Sequence, residues 1–332
     1  MNKTDSNPAG ETRLEPGMTT NRLRDLWDRA GMLVVFLILF AGCSLFVENF
    51  FGRFNMMVNL PLSVSMIGMV SCTMLFCLAS GHFDLSIGSV VACAGVLAAV
   101  VMNKTGSIAV GIAAGVLAGG LVGLVNGFVI AKFKINALIT TLATMEIVRG
   151  LAYDISGGTA VSIRQEKFFR LGQSMPLGIP TPVWITIACF IVFGFLLNKT
   201  TFGRNTLAIG GNEEASRLAG IAVDRVKIII FVAQGLMAGF AGVVLASRLT
   251  SGQPMTSQGF ELAVISACVL GGVSLTGGVG SILFVICGVL IMGTVQDAMS
   301  LLNIRSFHQY EVRGLVLLGA VLFDRFKQRR VQ

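Results

Sequence analysis

The residues whose order suggests a specific interaction lie in Gly210-Gly211-Asn212-Glu213-Glu214-Ala215-Ser216-Arg217-Leu218-Ala219-Gly220-Ile221. Asn212 is a fitting N-cap. Glu213 and Glu214 favour the positive end of a helix dipole. Arg217 stands four residues after Glu213 and three after Glu214, the spacings at which helical side chains pair. Gly220 suits the C′ position, where φ turns positive. Ala215, Leu218 and Ala219 form a small apolar face. The spacing predicts a short capped helix. A helix this short is unstable alone in water. It is therefore either a plain loop helix or one that a partner's groove stabilises.

Catalytic patterns are missing. No G-x-x-x-x-G-K-[ST] phosphate loop occurs, so ATP binding by that route is not expected. The two histidines, His82 and His308, are isolated, which makes neither a zinc site nor a triad. Gly277-Gly278-Val279-Gly280 reads as a helix break between apolar runs. No enzyme activity, metal or bound cofactor is expected on this chain. Three acidic positions stand out against the apolar background. Asp84 is either a pathway carboxylate or a cap at the start of a helix, beside Ser86. Glu146 and Arg149 are spaced to pair with each other. Asp297 is expected at an interface.

The elements that position these residues follow from composition. Of 332 residues, 54% are hydrophobic and 13% charged, about half the charge of a soluble domain. Mean hydropathy is +0.80. That composition excludes a soluble enzyme, a disordered chain and a disulfide scaffold. The seven cysteines fall in apolar runs and read as small packing residues. The expected fold is all-α, a polytopic membrane protein of about ten spans, with eight to ten admissible.

The runs are 30–47, 54–81, 85–103, 105–131, 135–153, 183–197, 228–247, two pieces within 262–296, and 307–323. The 35 uncharged residues of 262–296 exceed one span and break at the glycines after Thr276. Gly111, Gly115, Gly119, Gly123 and Gly127 recur every four residues, a stripe for close helix packing. Residues 1–29 read as a cytoplasmic tail ending in an amphipathic lead-in at 23–27. Residues 30–323 form the transmembrane domain, with a charged loop at 199–227 that holds the capped helix. Residues 324–332 are a basic cytoplasmic tail. Tails and loops assigned to the inner side hold 16 of the 25 Lys and Arg, against 9 outside. The positive-inside rule then places both termini in the cytoplasm. It also accounts for the net charge of +8 without nucleic acid.

Glu214-Ala215-Ser216-x-x-x-Gly220 resembles the EAA loop of bacterial ABC importer permeases, E-A-A-x-x-x-G. Ser216 replaces the second Ala and the final L-x-P is absent, departures usual for the ribose/xylose/arabinose branch. Further stretches similar to that branch are Gly81–Gly88 (GHFDLSIG), Asn136–Met145 (NALITTLATM), Lys199–Asn205 (KTTFGRN) and Leu270–Ser274 (LGGVS). Residues Ile130–Asn136 and Ser251–Ser257 are most similar to the L-arabinose permeases of the branch. His82 departs from the Gly or Asp that relatives commonly carry. The resemblance covers about residues 30 to 330.

The resemblance implies two copies of the chain in the inner membrane and a separate ATPase with two nucleotide domains, which holds the ATP and Mg. It also implies a periplasmic sugar-binding protein. Residues Asn212, Glu213, Glu214, Ala215, Arg217, Leu218 and Gly220 would then belong to the coupling helix. A sugar pathway needs hydrogen-bonding side chains in a water-filled cavity. Asn59, Asp84, Asn126, Asn136, Thr140, Thr141, Thr144, Gln234 and Gln296 are the candidates, or else bridges between helices. Two other classes remain at this stage: a proton-coupled symporter working through Asp84 or Glu146, and a passive channel.

Overall fold

A computed structural model describes the backbone of residues 17–329 and the side chains of 31–322. Residues 1–16 of the expected N-terminal tail and 330–332 of the C-terminal tail lie outside the described residues. The chain is a bundle of helices: α1 (Gly17–Phe46), α2 (Leu60–Ala79), α3 (Ile87–Thr105), α4 (Ile108–Lys132), α5 (Ala137–Ser156), α6 (Arg170–Gln173) and α7 (Thr181–Lys199). Then come α8 (Thr201–Gly211), α9 (Glu213–Leu218), α10 (Val223–Leu249), α11 (Phe260–Leu270), α12 (Ile282–Leu301) and α13 (Ser306–Arg329). A π-helical turn, Asn55–Asn59, leads into α2. Two short strands, β1 (Val161–Ser162) and β2 (Ser251–Gly252), pair antiparallel.

Six segments among the described residues are long and apolar enough to cross a bilayer: Asn55–Ala79, Ile87–Thr105, Ile108–Lys132, Thr181–Lys199, Val223–Leu249 and Ile282–Leu301. Gly31–Phe46 and Phe260–Leu270 are shorter apolar helices. The expected tally of ten is not reached on apolar length alone. α5 carries Glu146, Arg149 and Asp154, and α11 has only 11 residues. At 1.5 Å per residue α11 is about 16 Å long, half of a hydrocarbon core of about 30 Å. α1 begins at Gly17, earlier than the span expected at 30.

The α4 glycine stripe settles the closest packing. Gly119 lies on Gly235 and Gly239, Gly123 on Phe231, and Gly127 on Ile228, all on α10. Gly111 and Gly115 lie on Ala98 and Met102 or Ala94 of α3. A side chain at Gly123 would run into the Phe231 carbonyl, so the two backbones approach as in small-xxx-small contacts. α2 is buried along most of its length. The other face of α4 presents Leu117, Leu121, Leu124, Val125 and Phe128, and α7 presents Ile191, Val192 and Phe195. Exposed apolar rows of this length suit lipid contact rather than water.

The break expected within 262–296 falls at residues 271–281, between α11 and α12. There Gly278 N donates to Ala79 O, 2.9 Å, and Gly277 packs on Gly210. The ends of α2, α8 and α11 and the start of α12 thus share one end of the bundle with α9. Asp297, in the last turns of α12, is covered by protein. It is 2% exposed and accepts from Asn55 Nδ2 at 2.8 Å. The π turn before α2 supplies that donor.

Candidate coupling site and pathway residues

α9 forms because both its ends are closed locally. Asn212 Oδ1 accepts from Ala215 N, 2.9 Å. At the other end Gly220, φ +85°, lets Ile221 N reach Ser216 O, 3.1 Å, the six-to-one bond of a Schellman closure. Ser216 is buried while Leu218 is 82% exposed. The position where Ser replaces the Ala of the motif therefore faces the protein and must be small. The apolar Leu218 faces out.

The charges tie α9 to two long helices. Glu213 Oε2 lies 2.7 Å from Lys227 Nζ of α10, and Glu213 Oε1 lies 3.4 Å from Arg217. Arg217 also reaches Asp224 Oδ1 at 3.1 Å, and Asp224 Oδ2 reaches Lys132 of α4 at 3.2 Å. Arg217 thus pairs with Glu213, while Glu214 makes no ion pair among the described residues. Burial alone would raise the Glu213 carboxyl, but the Lys227 ammonium and Arg217 hold it below the ordinary range.

Beside α9 a cleft of about 620 Å³ is lined by His82, Phe83, Lys134, Asn136, Glu214 and Lys227, among others. His82 Nδ1 lies 2.8 Å from Ser80 O, so Nδ1 carries a hydrogen and donates to that carbonyl. Burial and then the Lys227 charge push the imidazole down to about 4. His82 stood out in the sequence only as the departure within Gly81–Gly88, and Lys227 was marked by no motif. The only available signal was a lysine opening an apolar helix.

The pathway candidates scatter. Asp84 is buried, and its Oδ1 accepts from Ser86 N and Ser86 Oγ, 2.9 and 2.6 Å. Asn126, 0% exposed, donates to Ser86 Oγ at 3.1 Å and accepts from Thr144 Oγ1 at 2.6 Å. Asn136 caps α5 through Leu138 N. Thr140 and Thr141 donate to carbonyls one turn back. Gln234 is fully buried with both amide atoms unpartnered. Asn59 ends the π turn and Gln296 is half-buried on α12. Asp84, Ser86, Asn126 and Thr144 form one network; Asn136 joins the cleft; the others stand apart. Glu146 and Arg149 do not pair. Arg149 Nη1 instead donates to Pro254 O and Thr256 O, 2.6 and 2.8 Å, because a loop from α10 to α11 passes beside it.

Comparison with known proteins adds to this geometry. Residues 56–323 match the family described as branched-chain amino acid transport system / permease component. The chain is 67% identical over 304 residues, 92% of each chain, to the L-arabinose transport system permease protein AraH of Escherichia coli. It is 54% identical over 325 residues, 98% of this chain and 96% of the other, to the L-arabinose ABC transporter permease protein AraH of Azospirillum brasilense. The ribose import permease protein RbsC of Escherichia coli is 37% identical over 300 residues, 89% of this chain and 93% of its own. No solved structure matches.

Proposed function

The chain belongs to the family of branched-chain amino acid transport system permease components, and on that premise we propose that it is the inner-membrane permease subunit of an ABC importer for L-arabinose. The carrying observation is the 67% identity, over 92% of both chains, to an L-arabinose permease. The chain itself hydrolyses nothing. A separate ATPase with two nucleotide domains supplies the energy and holds ATP and Mg. A periplasmic binding protein delivers the sugar, and two copies of the chain enclose the path.

α9 is the coupling helix in this reading. Its exposed Leu218 and unpaired Glu214 are what the ATPase grips. Its ion pairs carry the motion inward. Glu213 to Lys227 and Arg217 to Asp224 pass it to the start of α10, and Asp224 to Lys132 passes it to the end of α4. α4 and α10 are joined backbone to backbone by the glycine stripe, so they move as one body. Rigid-body movement of such a pair is one route by which a distant ligand biases a two-state element.

Labelled L-arabinose uptake into proteoliposomes tests this, with binding protein outside and ATP inside. Uptake is expected only with all subunits present. Uptake by the permease alone would overturn it. Ribose uptake without arabinose uptake would keep the machinery and change the sugar. Glu214→Arg is expected to abolish ATPase association with normal membrane insertion.

A further inference from the structure

Along their middle turns α4 and α7 turn only apolar side chains outward, among them Leu117, Leu121, Phe128, Ile191 and Phe195. α5 differs. Ile139, Ala143, Glu146, Gly150 and Asp154 are all exposed. Their spacings of three and four residues place them on one helix face. Val148 and Ala152, on the other side, are buried, where α5 packs on α3. A Cβ at Gly150 meets nothing within 4 Å, so the space in front of this line is open.

Glu146 stands at the middle of the line. It is the tenth of the 20 residues of α5. At 1.5 Å per residue the helix is about 30 Å long, which matches a hydrocarbon core and puts the carboxylate about 15 Å from either side. Glu146 forms no ion pair among the described residues. Arg149, three residues on, is turned to the Pro254 and Thr256 carbonyls. Carboxylates at mid-bilayer depth face a bundle interior or a water-filled cavity rather than lipid. The chain's own helices leave this one uncovered. A second copy is what can enclose it, and in a two-fold pair the same surface comes to both sides of the axis.

The line also has an entrance. Its inner end, with Asn136 and Ile139, lines the cleft of about 620 Å³ beside α9. Its outer end is the charged Asp154, two residues before α5 stops at Ser156. A route along α5 therefore runs from the coupling end, past Glu146, to the opposite side of the membrane without entering the packed core.

We propose that this face of α5 lines the sugar path between the two copies, and that the Glu146 carboxylate accepts hydrogen bonds from the sugar hydroxyls halfway across. A carboxylate offers two acceptor oxygens, enough to meet adjacent hydroxyls. Water takes the place of the sugar between transport events, so the group needs no fixed partner in the chain. Leu142 and Ile147, exposed on either side of Glu146, give the path dry edges that the second copy seals. The inference rests on the importer reading, and its test separates the two.

The test uses the complete transporter in proteoliposomes, with the seven native cysteines replaced. Glu146→Cys, Gly150→Cys and, on the lipid face of α7, Ile191→Cys variants are treated with a membrane-impermeant maleimide from each side, with and without ATP. Glu146→Cys and Gly150→Cys are expected to react and Ile191→Cys to stay unlabelled. Glu146→Leu is expected to lower L-arabinose uptake about tenfold or more, the effect of one lost bond to a charged group, while membrane insertion and ATPase association persist. Glu146→Gln, which keeps an acceptor oxygen, is expected to recover part of it. Labelling at Glu146→Cys and Gly150→Cys no faster than at Ile191→Cys, or full uptake by Glu146→Leu, overturns the proposal. Failure of the unaltered chain to import with its partners overturns the importer reading instead.

Discussion

Lys227 Nζ sits 2.7 Å from Glu213 Oε2, with the lysine side chain 8% exposed and the glutamate 43%. The first residue of α9 is thereby fastened to a buried charge on α10. Removing one partner of a buried pair leaves the other uncompensated. Glu213→Gln is expected to lower stability by about 1–3 kcal/mol, toward the smaller figure because solvent screens the glutamate. Lys227→Met removes the buried charge and releases α9. Uptake per ATP hydrolysed is expected to fall while hydrolysis continues, and Lys227→Arg to recover it. Thermal unfolding and paired uptake and hydrolysis assays check both.

Acid sensitivity follows from His82. Its folded value of about 4 lies below the ordinary 6.5, so between these values the unfolded chain binds a proton that the folded chain does not. Stability therefore falls as pH drops from 6.5 toward 4. Glu213, held below its ordinary 4.5, adds a loss as pH falls through its lowered value. Lys227 and Glu213 are the charged groups that act on His82. Melting temperatures from pH 7.5 to 4.5 are expected to fall less steeply in His82→Gln. Equal slopes would remove His82 from the explanation.

Gly123 and Gly42 make a matched pair. A Cβ at Gly123 collides with the Phe231 carbonyl, whereas nothing lies within 4 Å of one at Gly42. Gly123→Ala is expected to cost about 1–3 kcal/mol through overpacking. Gly42→Ala is expected to be neutral or to stabilise by up to about 1 kcal/mol. Folded yield in detergent and melting temperature report both.

Among the described residues Asn55 is the one hydrogen-bond donor to the buried Asp297 carboxylate. Asn55→Ala is expected to destabilise by about 1–3 kcal/mol, and Asp297→Asn by less, since an amide still accepts from Asn55. Unfolding in a denaturant series measures the difference.

Arg149 bridges two carbonyls, Pro254 and Thr256. Lysine is a point charge without the planar fork. Arg149→Lys is expected to speed hydrogen exchange at residues 253–257 severalfold and leave exchange in α4 unchanged.

Much of this was legible in the sequence. The helical membrane class followed from apolar runs, and α9 from Asn212, Glu213 and Gly220, because caps act over three or four residues. The glycine period marked α4 for packing but not its partner, since small residues do not encode which helix approaches. Arg149 was read as pairing with Glu146 three residues away. The loop it holds lies 105 residues further on, beyond any local pattern. The partner of Asp297 was hidden for the same reason: it is 242 residues away. Lys227 gave no sign of burial, because its counter-charge sits across the turn that follows α9.

The glycine stripe also sets a schedule for making the protein. Gly123 of α4 finds its surface at Phe231 of α10, more than a hundred residues later in synthesis. At roughly 5–20 residues per second, α4 waits on the order of ten seconds in the bilayer with its smallest side chains facing no partner. During that interval any other helix with a small-residue face can dock there instead. Handling of the nascent chain between α4 and α10, by the insertion machinery or by α3 already seated on Gly111 and Gly115, therefore decides how much of it reaches the correct bundle.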